Sequence, residues 1–327
     1  MWCSRNDLMR QAMALAGKHL RMVGFDFNEP VDVFRIISDM DIELMFRPLD
    51  EADGYYIPPT PSRLRAGILL NSRRPLPRQR YTAAHELCHF IRKNPARIEF
   101  VSEDWVPTRQ KRDVEEDFAD FFAGHFLMPP KLVAHFFRKL GLKKGDLDSK
   151  DVYRLSLCMR TSYEATCNQL SHLEFLSKEQ CQLIKKTKPK GIKQEWSEKL
   201  GHRDIWPIDY CMNNFLIIPT VEDKIEIRLP EIPSTGYIWD IENLHDGLLM
   251  FENSVLQFLE SAGQPGQTGE RKFNFSVHRR GIGNLQISLR RPWEKGYPSI
   301  ETFSIRISST EREFVGHYDM KQTLLAA

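Results

Sequence analysis

The chain has 327 residues, more than a usual single domain, so two domains are expected. With 41% hydrophobic and 28% charged residues it has the make-up of a globular protein that buries real cores, which argues against disorder as a whole. A formal charge of +2, from 46 basic and 44 acidic residues, creates no global field for nucleic acid or a membrane surface, so partners must be argued locally.

The six cysteines (Cys3, Cys88, Cys158, Cys167, Cys181, Cys211) are scattered, with no CxxC pair and no compact framework, as expected of reduced thiols in a cytoplasm. The opening MWCSRNDLMRQAMALAGKHL carries charges where a signal peptide needs an apolar run, and no later run is long enough to span a bilayer. A cytoplasmic protein with no membrane partner is the expectation.

SRNDLMRQAMALAGKHLRMVG, stopping at Gly24, and PVDVFRIISDM after Pro30 read as amphipathic helices. DIELMFRPL and AGILLN are short apolar runs that predict strands on either side of a turn-rich loop, DEADGYYIPPTPSR. Pro75 and Pro77 precede a long helical run from about Arg78, ending before Pro95. A further helix, RDVEEDFADFFAGHFLMPP, places Phe118, Phe121, Phe122 and Phe126 toward a core and is halted by Pro129 and Pro130. From Ser149 to Lys186 the pattern predicts more helices. Those around Ser162 mildly resemble a helix-turn-helix, but nothing base-reading stands out, and a helical part packing on the first domain is the reading adopted, with direct nucleic-acid binding not expected. KKTKPKGIKQEWSEKLGHR is basic, with Pro and Gly and no apolar period, and reads as a linker. After Trp206, alternating runs such as KIEIRLP, GYIWDI, KFNFSVHRR, NLQISLRR and TFSIRIS predict an all-β sandwich of about 100 residues.

Within AAHELCHF, His85 and His89 stand four apart with Glu86 directly after the first histidine. On a helix such spacing puts both imidazoles on one face, where they can converge on one ion with Glu86 beside them. A catalytic zinc takes three protein ligands, so HExxH supplies two ligands and a base. The alternative is a surface helix with paired histidines. The next helix carries Glu116 and Asp120, again four apart: a glutamate to complete the coordination, and an aspartate able to orient a ligand histidine through its free ring N–H. A solvated acidic face is the competing reading, and Glu115 and Asp117 fit it; Asp120, however, lies in the Phe-rich portion, where an unpartnered carboxylate is costly.

PVDVFRIISDMDIELMFRPLDEADGYYIPP, AGILLNSRRPLPRQRYTAAHELCHF and EEDFADFFAGHFLMP together resemble the ImmA/IrrE family of zinc metallopeptidases over about the first 180 residues. The resemblance implies a zincin-like α+β core holding Zn2+, with His85, His89 and Glu116 as ligands, Glu86 as the general base and Asp120 behind a ligand. It also implies a protein substrate of the kind known members cleave, a helix-turn-helix repressor, in phage-related switching or stress response. Cys88 departs from the family, which usually has a small residue there. It lies three positions after His85, within approach of the metal, and reads as a buried, inert thiol. No residue is identified as the oxyanion donor; Arg78, Tyr81 and His125 are near in sequence, but His125 falls on the helix face opposite Glu116.

In the β region PSTGYIW, SAGQPGQTGE and RRPWE are, singly, loop punctuation. In this order they resemble the three binding loops of the chagasin family of cysteine-protease inhibitors, over roughly Trp206 to Arg312. That implies an immunoglobulin-like sandwich whose edge enters the cleft of a papain-type protease. Pro233, Ser234, Thr235, Gly236 and Tyr237 would form the central loop. It would be flanked by Gly263 to Gly269, including Gly266, and by Arg291, Pro292 and Trp293. Ile232 stands where the family usually has Asn.

The expected organisation is a zincin-like metallopeptidase domain at 1–185, a basic linker at 186–205, a chagasin-like β-sandwich at 206–312 and a tail at 313–327. The expected function is that of a zinc metalloendopeptidase whose β-sandwich recognises or senses a partner. The alternative is a cysteine-protease inhibitor or binding protein whose peptidase half is a scaffold.

Overall fold

A computed structural model of the chain describes residues 4–61, 64–93, 114–196, 203–244, 247–258, 268–293 and 298–310. Among these residues the chain forms two compact units, one built from residues up to 136 together with 159–181, the other from 137–158 together with 182–310. No helix among them is long and apolar enough to cross a membrane.

The first unit begins with α1 (Arg5–Met22) and α2 (Val33–Asp39). Both start as the sequence dictates: the Ser4 hydroxyl accepts from the Asp7 amide at 3.2 Å and the Asp32 carboxylate from the Arg35 amide at 3.2 Å, each satisfying an end that the helix cannot. Strands β1 (Glu43–Arg47), β2 (Gly54–Ile57) and β3 (Gly67–Asn71) follow, with β3 central, parallel to β1 and antiparallel to β2. Strand β2 lies inside the stretch expected to be loop. Its four residues, GYYI, are too short to show a period, and only pairing with β3 makes them a strand. A Cβ on Gly54 would stand 2.6 Å from Thr82 Cγ2 and 2.8 Å from the Leu69 carbonyl oxygen, so glycine is what lets β2 approach the following helix closely.

That helix, α3 (Leu76–Arg92), opens with Pro77 in its first turn and ends at Lys93 in the left-handed conformation. It packs against α4 (Val114–Leu127), and α4 packs in turn along α1. Phe118, Phe122, Phe126 and Leu127 of α4 are buried with Ala12, Ala16 and Leu20 of α1; the alanines allow the close approach and the phenylalanines fill the volume. The Pro129–Pro130 pair that ends α4 also starts α5 (Pro130–Lys139), a helix absent from the expected set because proline, excluded from a helix interior, is favoured at its first position. Helices α6 (Ser149–Met159), α7 (Tyr163–His172) and α8 (Lys178–Lys186) follow, α7 capped by Ser162.

The second unit contains α9 (Pro189–Gln194) and eight strands: β4 (Ile205–Asp209), β5 (Phe215–Ile217), β6 (Lys224–Glu231), β7 (Ile238–Leu244), β8 (Leu249–Phe258), β9 (Gly269–Val277), β10 (Gly281–Arg290) and β11 (Glu301–Ser309). They make two four-stranded sheets, ordered β5-β11-β10-β7 and β4-β6-β9-β8. Alternate residues such as Ile225, Ile227, Phe273 and Phe275 in one sheet and Leu285, Ile287, Phe303, Ile305 and Ile307 in the other are buried, the period of two expected of strands with one covered face. Strand β8 escapes a sequence reading because its register with β9 shifts between Phe251 and Asn253, which breaks that period.

The stretch expected as a linker, 186–205, contains α9 and the first residue of β4. Two of its charged residues have partners: Lys193 pairs with Asp204 at 2.5 Å, and Glu195 with Lys150 of α6 at 2.6 Å. Helix α6 is tied to β4 through the buried Tyr153, whose hydroxyl donates to the Ile205 carbonyl and accepts from the Ile205 amide, both at 3.1 Å. This pairing places residues 137–158 with the sheets rather than with the residues that precede them, where a boundary at 185 was expected.

Glu231 ends β6 almost fully buried. Its carboxylate accepts from Arg271 Nε at 2.6 Å, Arg271 Nη2 at 2.7 Å and the Trp239 amide at 3.0 Å, so it joins β6 and β9 of one sheet to β7 of the other. Removing one partner of a buried pair leaves an uncompensated charge, so Glu231→Ala should destabilise this unit by about 3–5 kcal/mol. Chemical denaturation followed by tryptophan fluorescence measures it; a loss within experimental error would show that the pair is not structurally required.

Candidate metal centre

Helices α3 and α4 run antiparallel, and the contacts between them pair residues in reverse order. Tyr81 meets Asp120, His85 meets Asp120 and Glu116, His89 meets Glu116, and Arg92 meets Glu115. His85 Nε2 stands 3.1 Å from Glu116 Oε2 and 3.2 Å from His89 Nε2, and His89 Nε2 is 3.6 Å from Glu116 Oε1. One ligand atom from each of the three residues lies within 4.8 Å of the others. A tetrahedral cation bound at about 2.0–2.1 Å needs ligand atoms roughly 3.3 Å apart, so the three fit a small divalent ion.

The electrostatics point the same way. Burial opposes charge on His85, but Asp120 on Nδ1 and Glu116 on Nε2, with Glu86 nearby, lift it to about 10. Asp120 Oδ1, 3.1 Å from His85 Nδ1, holds the ring with Nε2 turned toward Glu116 and His89. Glu86 is pushed up to about 7, chiefly by burial; Glu116 adds to the rise, while His85 and a backbone hydrogen bond from Tyr56 oppose it. A carboxyl titrating near neutrality suits proton transfer.

The neighbouring residues divide clearly. Glu115 is not directed to the histidines: its two carboxylate oxygens accept from Arg92 Nε and Nη2, both at 2.9 Å. Cys88 is buried and its thiol is pushed up to about 12, foremost by burial, so it is protonated. His125 is buried on the far face of α4, as its spacing predicts, with Nδ1 accepting from Gln169 Nε2 at 2.8 Å; burial lowers it to about 4 and keeps it neutral. Tyr81 has a role the sequence reading missed. Its hydroxyl donates to the Asp120 carbonyl at 3.1 Å and lies 3.3 Å from Oδ1, steadying the carboxylate that steadies His85. Its position, one turn before His85 on the ligand face, was the available signal. Arg78 pairs with Asp53 and lies over the Tyr81 ring, 5.8 Å from its centroid.

In the second unit the central loop is a 3-10 turn, Pro233–Thr235, closed by Gly236 at φ 78°. The Thr235 hydroxyl donates to the Ile232 carbonyl at 2.7 Å. Arg291 lies over the Tyr237 ring at 4.4 Å, and a Cβ on Gly236 would stand 2.6 Å from Trp293 Cη2. Residues 233–237 and 291–293 therefore form one surface, on which Ser234, Thr235, Pro292 and Trp293 are exposed. Gly266 lies outside the described residues. Gly269, expected in the third loop, is instead the buried first residue of β9, paired with Glu231 and Phe258 at the end of the sheet that bears the central loop.

Comparison with known proteins agrees with both halves. Residues 37–171 match the IrrE N-terminal-like domain of peptidase family M78, and residues 219–307 match the chagasin family peptidase inhibitor I42. The chain thus carries a metallopeptidase-type domain followed by a chagasin-type domain. Amoebiasin-2 of Entamoeba histolytica is 27% identical over 85 residues, 26% of this chain and 69% of that protein. The crystal structure of the cysteine protease inhibitor EhICP2 from the same organism aligns with 33% of this chain and 98% of its own, at 23% identity and a TM-score of 0.31. The structure of PbICP-C in complex with falcipain-2 aligns with 33% of this chain and 92% of its own, at 13% identity and a TM-score of 0.23.

Substitutions on α4 separate the roles. Glu116→Ala should weaken metal binding more than Asp120→Asn, for which loss of an outer hydrogen bond implies about 10–100-fold. Glu115→Ala should leave it unchanged. Titration with Zn2+ against a chromophoric chelator reads all three, and the reverse order for Glu115 and Glu116 would move the ligand by one residue.

Proposed function

We propose that this protein is a cytoplasmic zinc metalloendopeptidase with a zincin-like catalytic domain, and that its immunoglobulin-like chagasin-type domain recognises a protein partner. The observation that carries the reading is the convergence of His85 Nε2, His89 Nε2 and a Glu116 carboxylate oxygen, with Glu86 next in sequence to the first ligand. Two imidazoles and one carboxylate are a donor set that suits zinc and leaves a position for substrate. When bound, zinc supplies Lewis acidity to the scissile carbonyl and to the attacking water. Glu86, near-neutral in its titration, takes the proton from that water and returns it to the leaving amine. Asp120 and Tyr81 keep His85 in the orientation that binding requires.

The substrate is an extended stretch of a regulatory protein, such as a helix-turn-helix repressor. Strand β2 is an edge strand, and Tyr56 within it bonds to Glu86, so a peptide pairing with that edge would run past the base. Glu86→Gln keeps the size and hydrogen bonding of the side chain but removes the proton acceptor. Proteolysis should fall by at least about 100-fold, within the contribution usual for general base catalysis, while zinc content stays near one per chain. Cleavage of a cognate repressor at the wild-type rate by this variant would refute the mechanism.

A second reading, a cysteine-protease inhibitor with the peptidase half as scaffold, is favoured by one observation. The loops at 233–237 and 291–293 are already held together, and Trp293 is 66% exposed and available as an anchor. Tyr237→Ala with Trp293→Ala should abolish partner capture while metal content is unchanged. Papain inhibition lost in the double variant would favour the inhibitor, a non-protease partner lost would favour recognition for the peptidase, and unchanged binding in both assays would remove these loops from the functional account.

A further inference from the structure

Away from the metal centre, Cys167 of α7 and Cys181 of α8 meet side by side, with their Sγ atoms 3.3 Å apart. Each sulfur also reaches the other residue's carbonyl oxygen, Cys167 Sγ to Cys181 O at 3.5 Å and Cys181 Sγ to Cys167 O at 3.3 Å. The approach is fixed by local structure. The turn between the helices bends at Glu174, φ 61°, and is closed by the Phe175 amide donating to the Leu170 carbonyl at 2.8 Å. Cys167 is fully buried and Cys181 is 6% exposed, so a small molecule reaches Cys181 first. A disulfide requires the sulfurs to move from this contact to about 2.05 Å.

We propose that Cys167 and Cys181 form a redox site that a small peroxide oxidises to a disulfide. The Cys181 sulfur, as thiolate, attacks one peroxide oxygen; the O–O bond breaks, the distal oxygen leaves as alcohol or water, and Cys181 becomes a sulfenic acid. The Cys167 sulfur then attacks the Cys181 sulfur; the S–O bond breaks, water leaves and the S–S bond forms. In sum two thiols give up two electrons and two protons, and ROOH becomes ROH and water. Two equivalents of a small thiol reverse it by exchange. The bond would tie α7 to α8 across the turn between them.

The test uses the full-length reduced protein treated with hydrogen peroxide, quenched with catalase, denatured, alkylated and mapped by mass spectrometry without reduction. The expected product is a peptide pair linked through Cys167 and Cys181, released by dithiothreitol and accompanied by a higher unfolding temperature that falls again on reduction. Fully buried Cys88 should remain alkylatable. Neither Cys167→Ser nor Cys181→Ser should give the linked pair, and the wild-type map decides the matter even if both variants misfold. Cys167 and Cys181 left free while exposed Cys211 oxidises, or either cysteine overoxidised without a link, would overturn the proposal.

Discussion

The seam between α3 and α4 is the constraint on which the first unit depends. It gathers Glu86, Glu116 and Asp120 around two imidazoles that are only 16% and 12% exposed. Carboxylates gathered this closely repel one another, and Glu86 among them is also desolvated, so positive charge in the seam is favourable. A proton shared between His85 and Glu116 is one answer, and a divalent cation a better one, since it satisfies all three inward donor atoms at once. The seam is also fastened at both ends. Arg92 grips Glu115 with two hydrogen bonds and lies over Phe118 at 4.1 Å, while Tyr81 holds Asp120. These contacts set the helix register, so they hold the ligand geometry without taking part in it.

Two further residues of these helices, Cys88 and His125, are of metal-binding type without belonging to the site. Cys88 is held as a protonated thiol by burial, and His125 is kept out by position, on the far face of α4 with Nδ1 accepting from Gln169 Nε2. Phe122 and Phe126 stack on that buried side of α4 with ring centroids 5.3 Å apart. Selection of ligands among several candidates therefore follows from helix faces. A residue four positions from a ligand joins it, and one nine positions away does not.

This is also why the centre was legible in the sequence while much of the fold was not. Spacings of four on a helix are local, so His85 with His89 and Glu116 with Asp120 can be read as pairs from the chain alone. That the two pairs meet is a long-range fact, carried in the sequence by the apolar pattern of α4 and by family resemblance. Strand β2 and the bulged β8 could not be read, because a four-residue strand has no period and a register shift erases one. The basic stretch before β4 misleads for another reason: Lys193 is matched to Asp204 and Glu195 to Lys150 of α6, and such pairings give no apolar period to read. In the second unit the alternation was plain enough to give the five strands expected, but not their division between two sheets.

The chagasin-type surface rests on the same logic in a different material. PSTGYIW read alone is a turn, and only the structure explains why glycine stands at 236: the backbone is left-handed there and the Trp293 ring fills the space a Cβ would need. The loop's position is set from beneath, where Glu231 receives both Arg271 and the amide of Trp239, two residues beyond Tyr237. A buried carboxylate thus fixes the two strands from which the loop springs, as Asp120 fixes the histidine from behind. In each unit the group that would touch a partner is held by one that would not. The supporting contacts named for each site lie wholly within that site's own unit. Loss of either support therefore disturbs its own site through position, not chemistry.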